Sequence, residues 1–358
     1  MLYLLLYPLH PAFPVLNVFR YITFRAALAA LLSLLLAFVI GPWLIRSLKQ
    51  WQIGQHIRED GPAHHAGKAG TPTMGGTLIV LSLTLSTLLV ADVTNVYVLL
   101  ALVVTVAFAA IGLVDDCLKL RSRSSRGLSM WSKLVPQTAV AAAAVVVLLS
   151  QPDFNSTVAV PFLKNVQPDL GLWYVPFAVV VVVGASNAVN LTDGLDGLAI
   201  GPVMTAAAAY AIIVYLAGHV KFAEYLQIPY VSQVGELTVF CAAVVAAGMG
   251  FLWFNTYPAQ IFMGDVGSLG LGAALGIVAV ISKNEILLVL VGGVFVVEAV
   301  SVIIQVVSFK TRGKRVFRMA PIHHHYELKG WPEPQIIVRF WIVSIICALF
   351  ALSTLKLR

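Results

Sequence analysis

Charge is what this chain has least of. Only 11% of its 358 residues are Asp, Glu, Lys or Arg and 59% are hydrophobic, with a mean hydropathy of +0.91. Soluble globular domains carry roughly 25% charged residues. The deficit excludes a solvated globular fold and leaves an integral membrane protein. Cysteine is also scarce: Cys117, Cys241 and Cys347 lie far apart, each in or beside an apolar run. They form no metal or redox spacing and read as small buried apolar side chains. No Lys or Arg precedes Arg20, so the basic start of a signal peptide is missing, and the first full apolar run is expected to act as the targeting signal. The net charge of +7 is scattered over the connections between apolar runs, the pattern of membrane loops rather than of a nucleic-acid binder. No solenoid-period repeat or low-complexity tract interrupts the chain.

Long apolar runs are what it has in their place. They cover 23–45, 75–91, 96–114, 134–149, 172–186, 198–217, 237–254, 269–281, 286–309 and 336–355. About 20 apolar residues let a helix cross the hydrocarbon core. Unbroken runs such as 139–149 lack the alternation of a barrel strand. The expected fold is an all-α integral membrane protein, a single domain over 1–358 with about ten transmembrane helices. Alternate connections hold 16 Lys and Arg residues against 7 in the others. The positive-inside rule puts the richer set in the cytoplasm and, with ten spans, both termini outside. The polar clusters at 115–119, 187–197, 255–268 and 310–334 follow the third, fifth, seventh and ninth runs. All four therefore fall on one side, and one active-site cleft is expected at the cytoplasmic face.

Each cluster has its own chemistry. Asp115 and Lys119 are four apart, so on a helix a carboxylate shares a face with an ammonium, and Asp116 lies one residue round. Paired carboxylates suit Mg²⁺, which takes hard oxygens and keeps positions open for phosphate. A solvated helix end with an incidental ion pair is the bland alternative. In the stretch from Asn187 to Gly197, Asn190, Asp193 and Asp196 are three apart and would line one side of the first turn of the next helix. A carboxylate at the bilayer centre costs about 2.5 to 3.5 kcal/mol on insertion scales, so these acids belong at a membrane face or in a wet cavity. Helix capping accounts for one Asp; two, with two Asn and two Gly, exceed it.

Asp265, between Gly264 and Gly267 at the head of an apolar run, is a candidate metal ligand in the segment that also carries Asn255 and Phe262. By residue type alone Phe262 reads as an interfacial anchor. Glu298 and Gln305 in the ninth run point to a polar interior. His323, His324 and His325 are consecutive; adjacent imidazoles do not easily face one zinc ion, and binding of phosphate oxygens is the better reading. The 310–318 basic run reads as a topology determinant or lipid-headgroup contact. Lys68 to Gly76, with Thr73, has phosphate-binding residue types without P-loop spacing.

Taken together, the DDxxK pattern at 115–119, NxxNxTDGxDGLA at 187–199 and FMGDxGS at 262–268 resemble the polyprenyl-phosphate N-acetylhexosamine-1-phosphate transferase superfamily. Residues 321–327 (PIHHHYE), with Gly330 and Trp331, resemble the branch whose donor is UDP-MurNAc-pentapeptide. The resemblance implies transfer of phospho-MurNAc-pentapeptide to undecaprenyl phosphate, with Mg²⁺ as cofactor, in the bacterial inner membrane and as a homodimer surrounded by membrane lipid. It implies Asp265 as the Mg²⁺ ligand, Asp115 and Asp116 acting on the lipid phosphate, and Lys119 and Lys133 as phosphate contacts. It further places Lys68, Thr73, Asn187, Asn190, Asp193, Asp196, Asn255, Phe262, Gly264, Gln305, His323, His324 and His325 at the donor pocket, and turns Phe262 from anchor to base platform. Two other readings stand beside it: a sister transferase using UDP-GlcNAc, and an ion-coupled transporter, which would need access from both faces.

Overall fold

The computed structural model describes residues 1–50, 70–122, 127–163 and 166–356. Its elements are helices α1 (Leu2–Leu6), α2 (Ile22–Gln50), α3 (Gly76–Val90), α4 (Val96–Ser122), α5 (Met130–Leu149), α6 (Tyr174–Thr192) and α7 (Ile200–Ala217). They continue with α8 (Val220–Leu226), α9 (Leu237–Asn255), α10 (Gly264–Ile281), α11 (Leu287–Val291), α12 (Gly293–Arg312), α13 (Ile322–Glu327) and α14 (Glu333–Ser353). Helices are what lipid permits, because each satisfies its own backbone polar groups.

Among the described residues, nine helices are long and apolar enough to cross a membrane. The tenth expected span is α3, with 15 residues, or about 22 Å at 1.5 Å per residue against a core of about 30 Å. It is short because the chain before it pairs with the 262–263 backbone instead of continuing the helix. Pro72 O accepts from Phe262 N (2.8 Å), and Gly75 N and Gly76 N donate to Phe262 O and Met263 O (2.8 Å each). The expected ninth run is also not one rod: it breaks at Gly292 between α11 and α12.

Helix α10 is the axis of the molecule. All but one of its 18 residues are buried, and its main neighbours are α4 and α6. Small residues allow that closeness. A Cβ on Gly276 would lie 2.8 Å from Val182 Cα of α6, and one on Gly272 would lie 2.6 Å from Ser186 Cα. Around this axis α2 packs on α9 and α3, and α9 on α7. One ion pair is buried within these layers: Arg25 of α2 forms a two-pronged bond with Glu236, just before α9, with Nη2 to Oε2 at 2.8 Å.

Candidate functional site

Helix α4 does not stop with its apolar run. It continues to Ser122, so Asp115, Asp116 and Lys119 are helical and the expected one-turn pairing is present, with Lys119 Nζ 2.6 Å from Asp115 Oδ2. Opposite stands Asp265 in the first turn of α10. Gly264 makes that approach possible. Its φ is +72°, and a Cβ there would meet Asp116 Oδ2 at 2.6 Å and Thr73 Oγ1 at 3.0 Å, so both backbone and space call for glycine. Ser129 caps α5 by accepting from Ser132 N (3.2 Å), which puts Lys133 in the first turn of that helix, facing the acids.

The result is a compact charged cluster. One oxygen from each of Asp115, Asp116 and Asp265 lies within 4.8 Å of the other two. Lys119 Nζ is 3.2 Å from Asp265 Oδ1 and 3.7 Å from Asp116 Oδ1; Lys133 Nζ is 2.6 Å from Asp265 Oδ2 and 3.4 Å from Asp115 Oδ2. Asp115 Oδ1 accepts from Leu128 N (2.7 Å), and Asp116 Oδ2 from Val266 N at the start of α10 (3.3 Å). Both oxygens of Asp115 are thus engaged, whereas among the described residues Asp116 Oδ1 has only the more distant ammonium. With the acids ionised and both lysines protonated, one negative charge is left over.

The 187–197 stretch reaches the same place by another route than the expected helix start. Asn190 lies in the last turn of α6, Asp193 ends that helix, and Asp196 lies in the turn before α7. The glycines in this stretch favour a turn over a first helical turn. Asn190 Oδ1 accepts from Ser268 Oγ (3.1 Å), linking the stretch to α10 one turn beyond Asp265. Asn187 Nδ2 donates to Gln137 Oε1 of α5 (2.8 Å). Asp196 N donates to Glu333 Oε1 (3.1 Å) and its Oδ2 accepts from Ala259 N (3.0 Å). Asn255 fastens the turn, accepting from Gly197 N (2.9 Å) and donating to Ile261 O (2.8 Å). Burial, and then the nearby carboxylates of Asp265, Asp116 and Asp196, push the Asp193 carboxyl up to about 8.

The three histidines sit on α13, where the sequence suggests only a loop, and each has a separate partner. His323 is fully buried, its Nδ1 3.1 Å from Glu298 Oε1 of α12. His324 Nδ1 pairs with Glu327 Oε2 at 2.5 Å. His325 Nδ1 accepts from Arg318 N (3.1 Å); what burial it has, then the Lys329 and Arg318 cations, hold that ring below its usual range and so neutral at pH 7. Gln305 is committed to the backbone of the segment between α12 and α13, with Nε2 to Phe317 O (3.1 Å) and Oε1 from Phe317 N (2.9 Å) and Val316 N (3.0 Å). Phe262 is part-buried, its main chain bound to that of Pro72 and Gly75. Thr73 is buried beside Gly264. Lys68 lies outside the described residues. Gln137, Ser268, Glu298 and Glu333 join the site without having been singled out as donor-pocket residues. Glu298 alone left a signal, as an acid in an apolar run.

Fold and site together define a multi-span membrane protein with a carboxylate and lysine centre at one end of its central helix. Residues 98–283 match the family described as glycosyl transferase family 4, and residues 68–80 match signature 1 of the phospho-N-acetylmuramoyl-pentapeptide-transferases. Relatives named phospho-N-acetylmuramoyl-pentapeptide-transferase align over the whole of both chains. They include those of Desulfatibacillum aliphaticivorans (61% identical), Syntrophus aciditrophicus strain SB (58%) and Citrifermentans bemidjiense (57%). The chain belongs to glycosyl transferase family 4 and, within it, to the phospho-N-acetylmuramoyl-pentapeptide-transferases.

Proposed function

We propose that the chain, acting as one domain, transfers phospho-MurNAc-pentapeptide from UDP-MurNAc-pentapeptide to undecaprenyl phosphate, releasing UMP and making lipid I. The observation that carries this reading is the cluster of three carboxylates from two helices, bracketed by Lys119 and Lys133. The donor set is all hard oxygen and keeps a net negative charge after both lysines are counted, which fits Mg²⁺. Asp265, with Asp115 and Asp116, would hold the ion, and when bound it would supply neutralisation of phosphate charge.

The protein's own groups account for the rest. Lys119 and Lys133 are placed to neutralise phosphate oxygens once substrates displace them from the acids. The acceptor is a phosphate monoester whose second pKa is about 6, so it arrives mostly ionised. Asp116, with Oδ1 only loosely held, can take its remaining proton or orient its attacking oxygen. Little activation is needed, which favours direct attack on the β-phosphate over a covalent aspartyl intermediate. The 193–197 turn, the histidines and Phe262 would receive the nucleotide and sugar from the cytoplasm, while the polyprenyl tail stays in lipid. This reading places the protein in the bacterial inner membrane as a homodimer.

The test is to supply the purified, lipid-supplemented protein with both substrates and Mg²⁺, with and without chelator, and to measure UMP and lipid product. Chelator-sensitive lipid I formation is expected, lowered about 100-fold or more in Asp265→Ala. Turnover with UDP-GlcNAc alone would replace the donor assignment, and nucleotide-sugar uptake into proteoliposomes without turnover would replace the enzyme by a transporter.

A further inference from the structure

Helix α12 carries one acidic residue, Glu298, in the second turn of an apolar span. The side chain is fully buried, and its one hydrogen bond among the described residues is the contact of Oε1 with His323 Nδ1; Oε2 has no partner. His323 is as deeply buried, and among the described residues its Nε2 is also without a partner. That nitrogen lies directly beneath Gly194, where an added Cβ would collide with it. Gly194 is itself exposed and adjoins Asp193, so the unpartnered nitrogen is aimed at the floor of the site. The neighbouring imidazole cannot take its place: the His324 ring, 4.1 Å away between centroids, is bound to Glu327.

A carboxylate only accepts, so the bond fixes the proton of His323 on Nδ1 and leaves Nε2 as the working nitrogen. Such a partner also sets the ring's orientation and raises its basicity. The geometry points to Glu298 as a positioning residue that acts through His323, holding Nε2, the lone-pair nitrogen of this tautomer, beneath the Asp193–Gly194 turn as an acceptor for a hydroxyl or N–H group of the donor nucleotide. This rests on the proposed transfer reaction and adds to it a residue remote from the carboxylate centre.

Steady-state kinetics of the Mg²⁺-loaded protein test the assignment with Glu298→Met, an apolar replacement suited to a membrane helix, Glu298→Gln, His323→Ala and the double variant Glu298→Met/His323→Ala. Glu298→Met is expected to lower kcat/KM for the UDP-linked donor by about 10- to 100-fold, mainly through KM, with KM for undecaprenyl phosphate unmoved. Glu298→Gln should recover most of that loss, because its oxygen still accepts from Nδ1–H, and the double variant should be no worse than His323→Ala. Losses that multiply in the double variant, a loss shared by both substrates, or a Gln variant as poor as Met would overturn the inference while leaving the reaction standing. A wild type silent with both substrates would overturn the proposed function, and this inference with it. Histidine-selective ¹⁵N spectra of the wild type give a readout that no variant's folding can spoil: an Nε2 resonance that moves on adding donor is expected, and none moving would count against the assignment.

Discussion

Asp193 stands where α6 has ended and no helix has yet begun, and its position makes the site sensitive to pH. Burial and three neighbouring acids raise its carboxyl to about 8, while an unfolded chain loses the same proton near pH 4. Between those values the native state holds a proton that the unfolded state has released, so stability falls as pH rises from about 4 to about 8. Asp193→Asn is expected to flatten that decline. In metal-free detergent its melting temperature should match the wild type near pH 4 and exceed it at pH 8.5; a constant offset at every pH would refute the argument. At this scale the sequence is readable where partners are close in the chain. Asp115 and Lys119 share a helical face, and their 2.6 Å pair follows from that spacing. His323 and Glu298, 25 residues apart, share no pattern that could announce their contact.

Among the helices, apolar length announces each run but not where it bends or how it is held. Helix α12 begins only after a break at Gly292, because paired glycines inside an apolar stretch look the same whether they pack or hinge. Helix α13 is too short to show a period, so its histidines read as loop. Arg25 counts as an outer-loop cation in the sequence, yet it is buried against Glu236, which also accepts from Asp92 N (2.7 Å). That pair ties α2 to the start of α9 and to the loop after α3. Glu236→Ala leaves the guanidinium buried and unpaired and is expected to lower stability by about 3 to 5 kcal/mol. Replacing both residues by Met should recover much of that. Thermal unfolding in detergent measures both, and a single variant as stable as wild type would show the pair to be idle.

Over the whole molecule, the carboxylates and lysines of the candidate site are gathered at one end of α10. Helix α10 carries Asp265 in its first turn and ends beside a second buried group, in which Lys283 lies 3.8 Å from the centre of the Phe154 ring and 4.0 Å from that of Tyr174, whose hydroxyl donates to Glu285 Oε1 (2.5 Å). The Met1 ammonium donates to Leu88 O (2.8 Å) at the close of α3, and Lys356 Nζ to Tyr225 O of α8 (2.9 Å). The proposed topology then has a simple check. In a cysteine-free background, Ser122→Cys should react with an impermeant maleimide only from the cytoplasmic side, and Val220→Cys only from the other; reversed labelling would turn the molecule over. That the four polar clusters share a side was legible from their places after alternate apolar runs, whereas the closeness of their contacts was not, because apolar faces that meet lipid and faces that meet helices look alike in sequence. The depth of α10 has a further consequence, in time rather than in space. Its amides have no local way out to water, so their exchange with deuterium should wait for unfolding of the entire protein, while those of α13 exchange through brief local openings. The acid that would hold the metal would then be carried by the slowest clock in the molecule, and the histidines that would meet the donor by one of the fastest.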